Sequence, residues 1–302
     1  MKKEAKTINN LNKLSDKKNN FIEYSLNEYN KSLEKLEKRL YEQFLDNYIT
    51  KFTITDGKIA LNERNLRLLD NIEGEFDKFN RIYQTPVLQT LSSNMLAVTD
   101  FQIDYYLEMG FSEKLLQKIA KSAEIDKALR MRIGIGLDGK VIENSFIGQL
   151  ANGTRLKEDL KTYVIRSITN KASLTDFQKG FKELLISTEE TNSLLTRYSK
   201  RFVHDTFFQV ARAEDKVFAD RLELNHAIFS GSKIKTTREF CAERIGQVFS
   251  RAEIETWAEL EWAGKSDPYD PYIDIGGWNC RHDFRFISYD LAVYLAPEKF
   301  AA

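Results

Sequence analysis

Glycine and proline are distributed unevenly along this 302-residue chain, and their distribution limits the possible folds more than any other sequence feature. The first glycine is Gly57, and three of the four prolines lie between Pro268 and Pro297. Because both residues interrupt regular helices, we expect long helices first and short elements joined by turns near the C-terminus. The sequence therefore predicts a mainly α protein, with a helical N-terminal bundle region followed by a small α+β C-terminal module.

Apolar spacing supports the helical region. A helix from about Asn19 to Phe52 is predicted because apolar residues recur in steps of three and four, at Leu26, Tyr29, Leu33, Leu36 and Leu40. The strict spacing lasts only about two heptads, which favours an intramolecular bundle over a long dimeric coiled coil. Further helices are predicted at 62–83, 85–109, 112–129, 154–170, 174–187 and 189–226. Asp56-Gly57 predicts a small hairpin or an irregular loop.

Charge and composition restrict the possible functions. The 45 basic residues balance the 45 acidic ones, so no global field attracts DNA or anionic lipid. The N-terminus lacks the apolar core of a signal peptide, and no run approaches about 18 consecutive apolar residues. We therefore expect synthesis in a cytoplasm, no export by that route and no integral membrane segment.

Three parts are predicted along the chain. Residues 1–20 are rich in lysine and asparagine and are expected to form a flexible basic tail, because they bury too little apolar surface to order themselves. Residues 21–226 form the helical region, and residues 227–302 form the α+β module. In that module the strand-like runs are HAIFSG, GQVFS and HDFRFIS, and a helix is expected in RAEIETWAELEWAG.

Two cysteines and one histidine of the module have the chemistry of metal ligands. Cys241, Cys280 and His282 are soft or imidazole donors of the kind that bind zinc. A closed structural zinc site needs four ligands, so the set is one short. A disulfide between the cysteines and a pair of buried free thiols are the alternatives, and we favour the free thiols. No cofactor is therefore predicted, and the three residues stay weak candidates for a metal site.

Two short motifs carry no functional prediction. GIGLDG, at residues 134–139, matches the glycine pattern of dinucleotide sites, but a charged helical segment precedes it where such a site needs a buried strand. Asn152-Gly153-Thr154 is a formal glycosylation sequon without a secretion signal, and we interpret it as a loop.

A signature in the C-terminal region resembles that of a known family. Its order is T-x-R-x-x-C, an apolar helix with tryptophans, and then G-G-x-N-C-R-H. The residues that carry it are Thr237, Arg238, Cys241, Trp257, Gly276, Gly277, Trp278, Asn279, Cys280, Arg281 and His282. This pattern is similar to the signature of the phage Mu F-like minor head proteins, also called head morphogenesis proteins.

The resemblance implies a non-enzymatic virion component of a tailed bacteriophage. It implies assembly in the host cytoplasm, a place in the head interior or at the portal vertex, and the portal or major capsid protein as partner. From the residues themselves we keep two alternatives. One is a nuclease or hydrolase that uses Arg281, His282 and Asp283, and the other is an internal protein that binds packaged DNA through the basic tail.

Overall fold

A computed structural model describes residues 2–134, 142, 145, 148 and 153–300 of the chain. It confirms a mainly α protein with a small α+β part near the C-terminus. Residues 135–139 of the GIGLDG run and Asn152 of the sequon lie outside the described residues. Gly134 ends a helix in the left-handed conformation, with φ +91°, which glycine adopts without strain.

Helices make up most of the described chain. In sequence order they are α1 (Lys2–Asn47), α2 (Glu63–Arg67), α3 (Asn71–Phe79), α4 (Thr85–Leu96), α5 (Val98–Glu108), α6 (Glu113–Ala120), α7 (Ala123–Ile133), α8 (Thr154–Thr169), α9 (Leu174–Leu185), α10 (Leu194–Arg221), α11 (Glu239–Ala242), α12 (Arg251–Glu255), α13 (Tyr289–Leu295) and α14 (Pro297–Phe300). None of the helices in the described part of the chain is both long and apolar enough to cross a bilayer.

Several predicted helices are interrupted in the structure. The predicted helix at 112–129 is two helices, because Ser122 caps a new start and its hydroxyl accepts the N–H of Ile125. The predicted helix at 189–226 begins only at Leu194, after Ser193 has accepted the N–H of Thr196 at 3.0 Å. The tryptophan-bearing run in the C-terminal region is a short helix, α12, followed by a 3-10 turn at Thr256–Glu259.

The predicted unstructured tail at 1–20 is wrong for residues 2–20, which form the beginning of α1. Leu11, Ser15 and Lys18 are buried along this stretch. The sequence argument counted only the apolar surface of the segment itself. The surface that orders it belongs to residues distant in sequence, such as Asp215, which accepts a hydrogen bond from Lys18 Nζ at 2.7 Å.

Two compact units divide the described chain differently from the predicted boundaries at 20 and 226. The first unit contains Met1–Tyr24, Ser93–Lys140 and His204–Ala302, and the second contains Ser25–Ser92 and Val141–Val203. Helices α1, α4 and α10 therefore contribute residues to both units. The change in composition at Ala227 marks where the three-stranded sheet begins along the chain, and it does not mark which distant segments share a core.

Two small antiparallel sheets are present. Strands β1 (Ile54–Thr55) and β2 (Lys58–Ile59) form the hairpin indicated by Asp56-Gly57, whose φ angles are +52° and +71°. The second sheet has the order β4-β3-β5, from strands β3 (His226–Ser230), β4 (Val248–Ser250) and β5 (Asp283–Ile287). These last three strands confirm the three strand-like runs predicted in the C-terminal region.

Aromatic side chains form the core beside the three-stranded sheet. Trp257 is 4 % exposed and lies at the centre of this cluster. Its ring is 5.9 Å from Phe229 on β3, 5.1 Å from Phe249 on β4 and 5.7 Å from Phe284 on β5. One tryptophan side chain therefore contacts all three strands, and aromatic rings of this size stabilise a core by burying large apolar areas.

The second unit is organised around a buried carboxylate. Glu37 on α1 is 3 % exposed. It accepts hydrogen bonds from the N–H and hydroxyl of Ser187, both at 2.8 Å, and from the hydroxyls of Ser193 and Thr196. These donors lie in the loop before α10 and in its first turn. A buried charge with this many donors is satisfied, and it fixes where α10 begins.

Candidate functional site

The two halves of the signature meet in the first unit. Arg238 directly precedes α11, and its guanidinium donates to the Ala263 carbonyl at 3.0 Å and to the Trp278 carbonyl at 2.6 Å. Three loop segments distant in sequence are therefore tied to one planar cation. The region near 238 is therefore in contact with the region near 280.

Two glycines allow the backbone to approach closely here. Gly277 has φ +84°, and a Cβ at this position would overlap the carbonyl oxygen of Gly264. That same oxygen accepts the N–H of Trp278 at 3.0 Å. At Gly276 a Cβ would overlap the sulfur of Cys241 and lie 3.0 Å from the sulfur of Cys280. A residue with a Cβ does not fit at either position, so both signature glycines are required for this packing.

Cys241, Cys280 and His282 form one buried cluster. Their ligand atoms all lie within 4.8 Å of one another, and Cys280 Sγ is 3.5 Å from His282 Nδ1. Neither cysteine is in a disulfide. Cys241 lies on α11, Cys280 lies in the loop before β5, and His282 directly precedes β5. The tertiary fold therefore brings together the three candidate ligands that the sequence singled out.

The two thiols of this cluster are not equivalent. The pKa of Cys280 is well below its usual value, because Cys241 donates a hydrogen bond to its sulfur and because His282 and Arg212 also favour the thiolate. The pKa of Cys241 is raised, since its proton is held in that hydrogen bond and its sulfur is buried. Cys280 is therefore the thiol that more readily becomes an anionic ligand.

Arg212 holds the loop that carries the cluster, and sequence reasoning missed it. It lies on α10 and is 4 % exposed. Its guanidinium donates to the carbonyls of Ile273 at 2.9 Å, of Cys280 at 2.6 Å and of His282 at 2.7 and 3.0 Å. Because all of these hydrogen bonds end on backbone carbonyl oxygens, the buried guanidinium fixes the path of the chain through Cys280 and His282.

A polar stripe on α10 extends this support. Asp205 Oδ1 accepts the N–H of Asn279 at 2.8 Å, and Gln209 donates to Asp274 at 3.0 Å. With Arg212 these residues are spaced by four and three along one helix face. This spacing is a sequence signal for the support, but α10 carries many other charged residues, so the spacing does not single these three out.

The Asp205 contact gives a testable prediction. Asn279 has φ +58°, a left-handed conformation that costs energy for a residue with a side chain, and the Asp205 carboxylate secures it. We expect Asp205→Ala to lower the free energy of unfolding by about 2 kcal/mol. Asp205→Asn, which keeps an oxygen acceptor, should retain at least half of that stability. Tryptophan fluorescence during urea unfolding measures both, and equal loss in the two variants would contradict the role.

A cavity of about 1120 Å³ adjoins the cluster within the first unit. His204 and His282 both line this cavity. The Nε2 atom of each ring is buried and has no hydrogen-bond partner among the described residues. Charged residues at its edge are paired across it: Arg281 with Glu23 at 3.3 Å and Arg285 with Asp16 at 3.2 Å. The cluster therefore adjoins a space that polar and charged residues line in part.

The other signature residues have structural places. Thr237 accepts the N–H of Ile234 through its hydroxyl at 2.8 Å and closes a turn. Trp257 is the aromatic centre described above, whereas Trp278 is 39 % exposed. Most of the signature therefore secures chain geometry, and the chemically reactive atoms are confined to the buried cluster.

Arg281, His282 and Asp283, the residues of the predicted nuclease alternative, have different partners in the structure. Arg281 is exposed and pairs with Glu23, His282 contacts the Cys280 sulfur, and Asp283 lies 3.5 Å from Lys18 Nζ. Consecutive residues entering β5 point in different directions, so their side chains contact three separate partners.

The chain was also compared with known proteins. No family model, curated protein or solved structure matches it.

Proposed function

We propose that this protein is a non-enzymatic minor head or head morphogenesis protein of a tailed bacteriophage, located at the portal vertex or in the head interior. The observation that carries the proposal is the convergence of the two signature segments, in which Arg238 binds the Trp278 carbonyl and Cys241 meets Cys280. The family resemblance rests on these same residues. Residues that stabilise one packed structure are expected in a structural protein of a virus particle.

The use of the signature residues also supports a structural role. Gly276 and Gly277 allow close backbone packing, Arg238 binds carbonyl groups, and Trp257 fills the core. Each of these roles stabilises a shape, and none positions a reacting group. We infer that the partner is the portal or the major capsid protein of the same particle, and that contact with it uses surfaces outside the signature.

Intact particles test this proposal. Particles of the phage that encodes the chain should contain it after gradient purification, and cross-linking mass spectrometry should join it to the portal or major capsid protein. Protease treatment of closed particles separates an internal component, which survives, from a contaminant on the outside, which is digested. Removal by protease would exclude the head interior and leave the portal vertex. A polypeptide missing from purified particles would overturn the proposal.

A nuclease assay tests the enzyme alternative. Purified chain is incubated with end-labelled DNA and RNA in Mg²⁺, Mn²⁺ or Zn²⁺, beside His282→Ala as the matched variant. We expect no product that depends on His282, because Arg281 and Asp283 contact other groups. Cleavage by the wild type that disappears in His282→Ala would favour the enzyme.

A further inference from the structure

The geometry points to a zinc site in which Cys241 Sγ, Cys280 Sγ and His282 Nδ1 are three ligands and a water in the adjoining cavity is the fourth. This inference is independent of the proposed function, since it concerns the chemistry of one buried cluster. Three observations support it: the spacing of the donor atoms, the way the surrounding chain holds them, and the absence of a fourth protein donor among the described residues.

Donor spacing fits a tetrahedral ion. Zinc bonds of about 2.3 Å to sulfur and 2.0–2.1 Å to nitrogen place neighbouring S and N ligands about 3.5 Å apart. Cys280 Sγ and His282 Nδ1 are separated by 3.5 Å. The remaining distances in the cluster are within 4.8 Å, so one ion can lie near all three donor atoms. Thiolate with imidazole is also the donor set that selects zinc over magnesium or calcium.

The surrounding chain holds the ligands in place without the ion. Arg212 binds the carbonyls of both Cys280 and His282, and Asp205 binds the N–H of the residue between Trp278 and Cys280. Gly276 leaves space against both sulfurs that a larger residue would fill. Hydrogen bonds of this second layer are what orient ligands in protein metal sites.

The fourth ligand is assigned to water. The chain contains only two cysteines and three histidines, so a fourth ligand from the chain would have to be one of the other two histidines or a carboxylate. Among the residues that the structure describes, no further histidine or carboxylate joins the cluster within its 4.8 Å limit. His226 packs against Tyr289 and Phe300 instead. Three protein ligands with one open position is the arrangement of exchangeable and catalytic zinc sites, in contrast to closed structural ones.

Metal content is the first test. The full chain, without a histidine tag and purified without chelators, should carry one zinc per molecule by inductively coupled plasma mass spectrometry. Cys241→Ser, Cys280→Ser and His282→Gln should each lower the zinc content at least tenfold. His226→Gln and His204→Gln are the matched controls, and both should keep the wild-type content. Zinc that stays in His282→Gln, or is lost in His204→Gln, overturns the ligand assignment.

Cobalt reports the donors and the open position. The Co²⁺-loaded wild type should show the near-ultraviolet charge-transfer absorption of thiolate bound to cobalt and the intense visible bands of a four-coordinate ion. Added azide should shift those visible bands, because it replaces the water. Weak bands of six-coordinate cobalt, or bands that azide leaves unchanged, contradict a tetrahedral site with an exchangeable ligand.

If the cysteine variants fail to fold, metal removal from the wild type and its restoration test the zinc site instead. Removing the metal from it with a chelator should lower its melting temperature, and stoichiometric zinc should restore it, because an ion that binds only the folded state stabilises that state. Magnesium is the control ion and should not restore it. A wild type that takes up no zinc, or whose cysteines are found by mass spectrometry as a disulfide after reductant-free purification from a cytoplasm, would overturn the inference.

Discussion

Replacing Arg212 with leucine is expected to lower the free energy of unfolding by about 4 kcal/mol, the range found when one partner of a buried charged network is removed. Its guanidinium satisfies carbonyls of three residues, at Ile273, Cys280 and His282. Leucine fills much of the volume but leaves those buried oxygens without a donor, and each costs about 1–3 kcal/mol. Arg212→Lys keeps the charge but cannot reach three carbonyls at once, so it should recover less than half of the loss.

Urea unfolding followed by tryptophan fluorescence measures this effect. All three tryptophans, at 257, 262 and 278, lie in the first unit, so the signal reports the unit that contains Arg212. Arg221→Leu is the matched control on the same helix, because Arg221 is half exposed and its ion pair with Glu124 is at the surface. We expect that control to change the free energy of unfolding by less than about 1 kcal/mol. A similar small change in Arg212→Leu would show that the guanidinium does not hold the loop.

Glu214→Gln is expected to stabilise the protein in a pH-dependent way. Glu214 lies on α10 and is 0 % exposed. Burial raises its pKa to about 8 from an ordinary value of 4.5, with a further increase from the neighbouring Asp215 carboxylate. Folded protein therefore keeps this proton at pH values where the unfolded chain has lost it. Since the folded state binds more protons, the contribution of Glu214 to stability falls as pH rises from about 4.5 to about 8.

Glutamine has nearly the same shape as glutamate and does not titrate, so the free energy of unfolding of the variant does not contain this decrease with pH. The gain in free energy of unfolding over wild type should rise from about 1 kcal/mol at pH 5 to about 4 kcal/mol at pH 8 and then level off, at about 1.4 kcal/mol per pKa unit. Glu259→Gln is the control for the substitution itself, because Glu259 is exposed. Urea titrations at each pH give both curves. A Glu214→Gln difference that does not change with pH would show that Glu214 is charged when folded.

Local patterns account for the parts of the fold that were predicted correctly. The three strands beside Trp257 and the turn at Asp56-Gly57 depend on alternation and on positive φ, which neighbouring residues specify. Where prediction failed, the deciding partner was distant. Residues 2–20 are helical with Lys18 against Asp215, a pairing across most of the chain. No window of neighbouring residues contains that information.

The candidate site divides in the same way. Cys241, Cys280 and His282 were identified from their donor chemistry, as types of side chain that bind zinc. Arg212 was not identified, because an arginine within a charged helix is ordinarily on the surface. Only the buried carbonyls of a loop about sixty to seventy positions later give it a role.

By itself, the sequence determined the fold class, the strands of the small sheet and the residue types able to bind a metal, because helix and strand periodicity and donor chemistry are properties of the chain alone. The tertiary structure decided which segments share a core, that α10 supports the Cys280 loop, and that three donors surround one point beside a cavity. The physical reason is that burial and hydrogen-bond satisfaction are collective. Whether Arg212 or Glu214 is buried depends on groups that only the folded chain brings into contact.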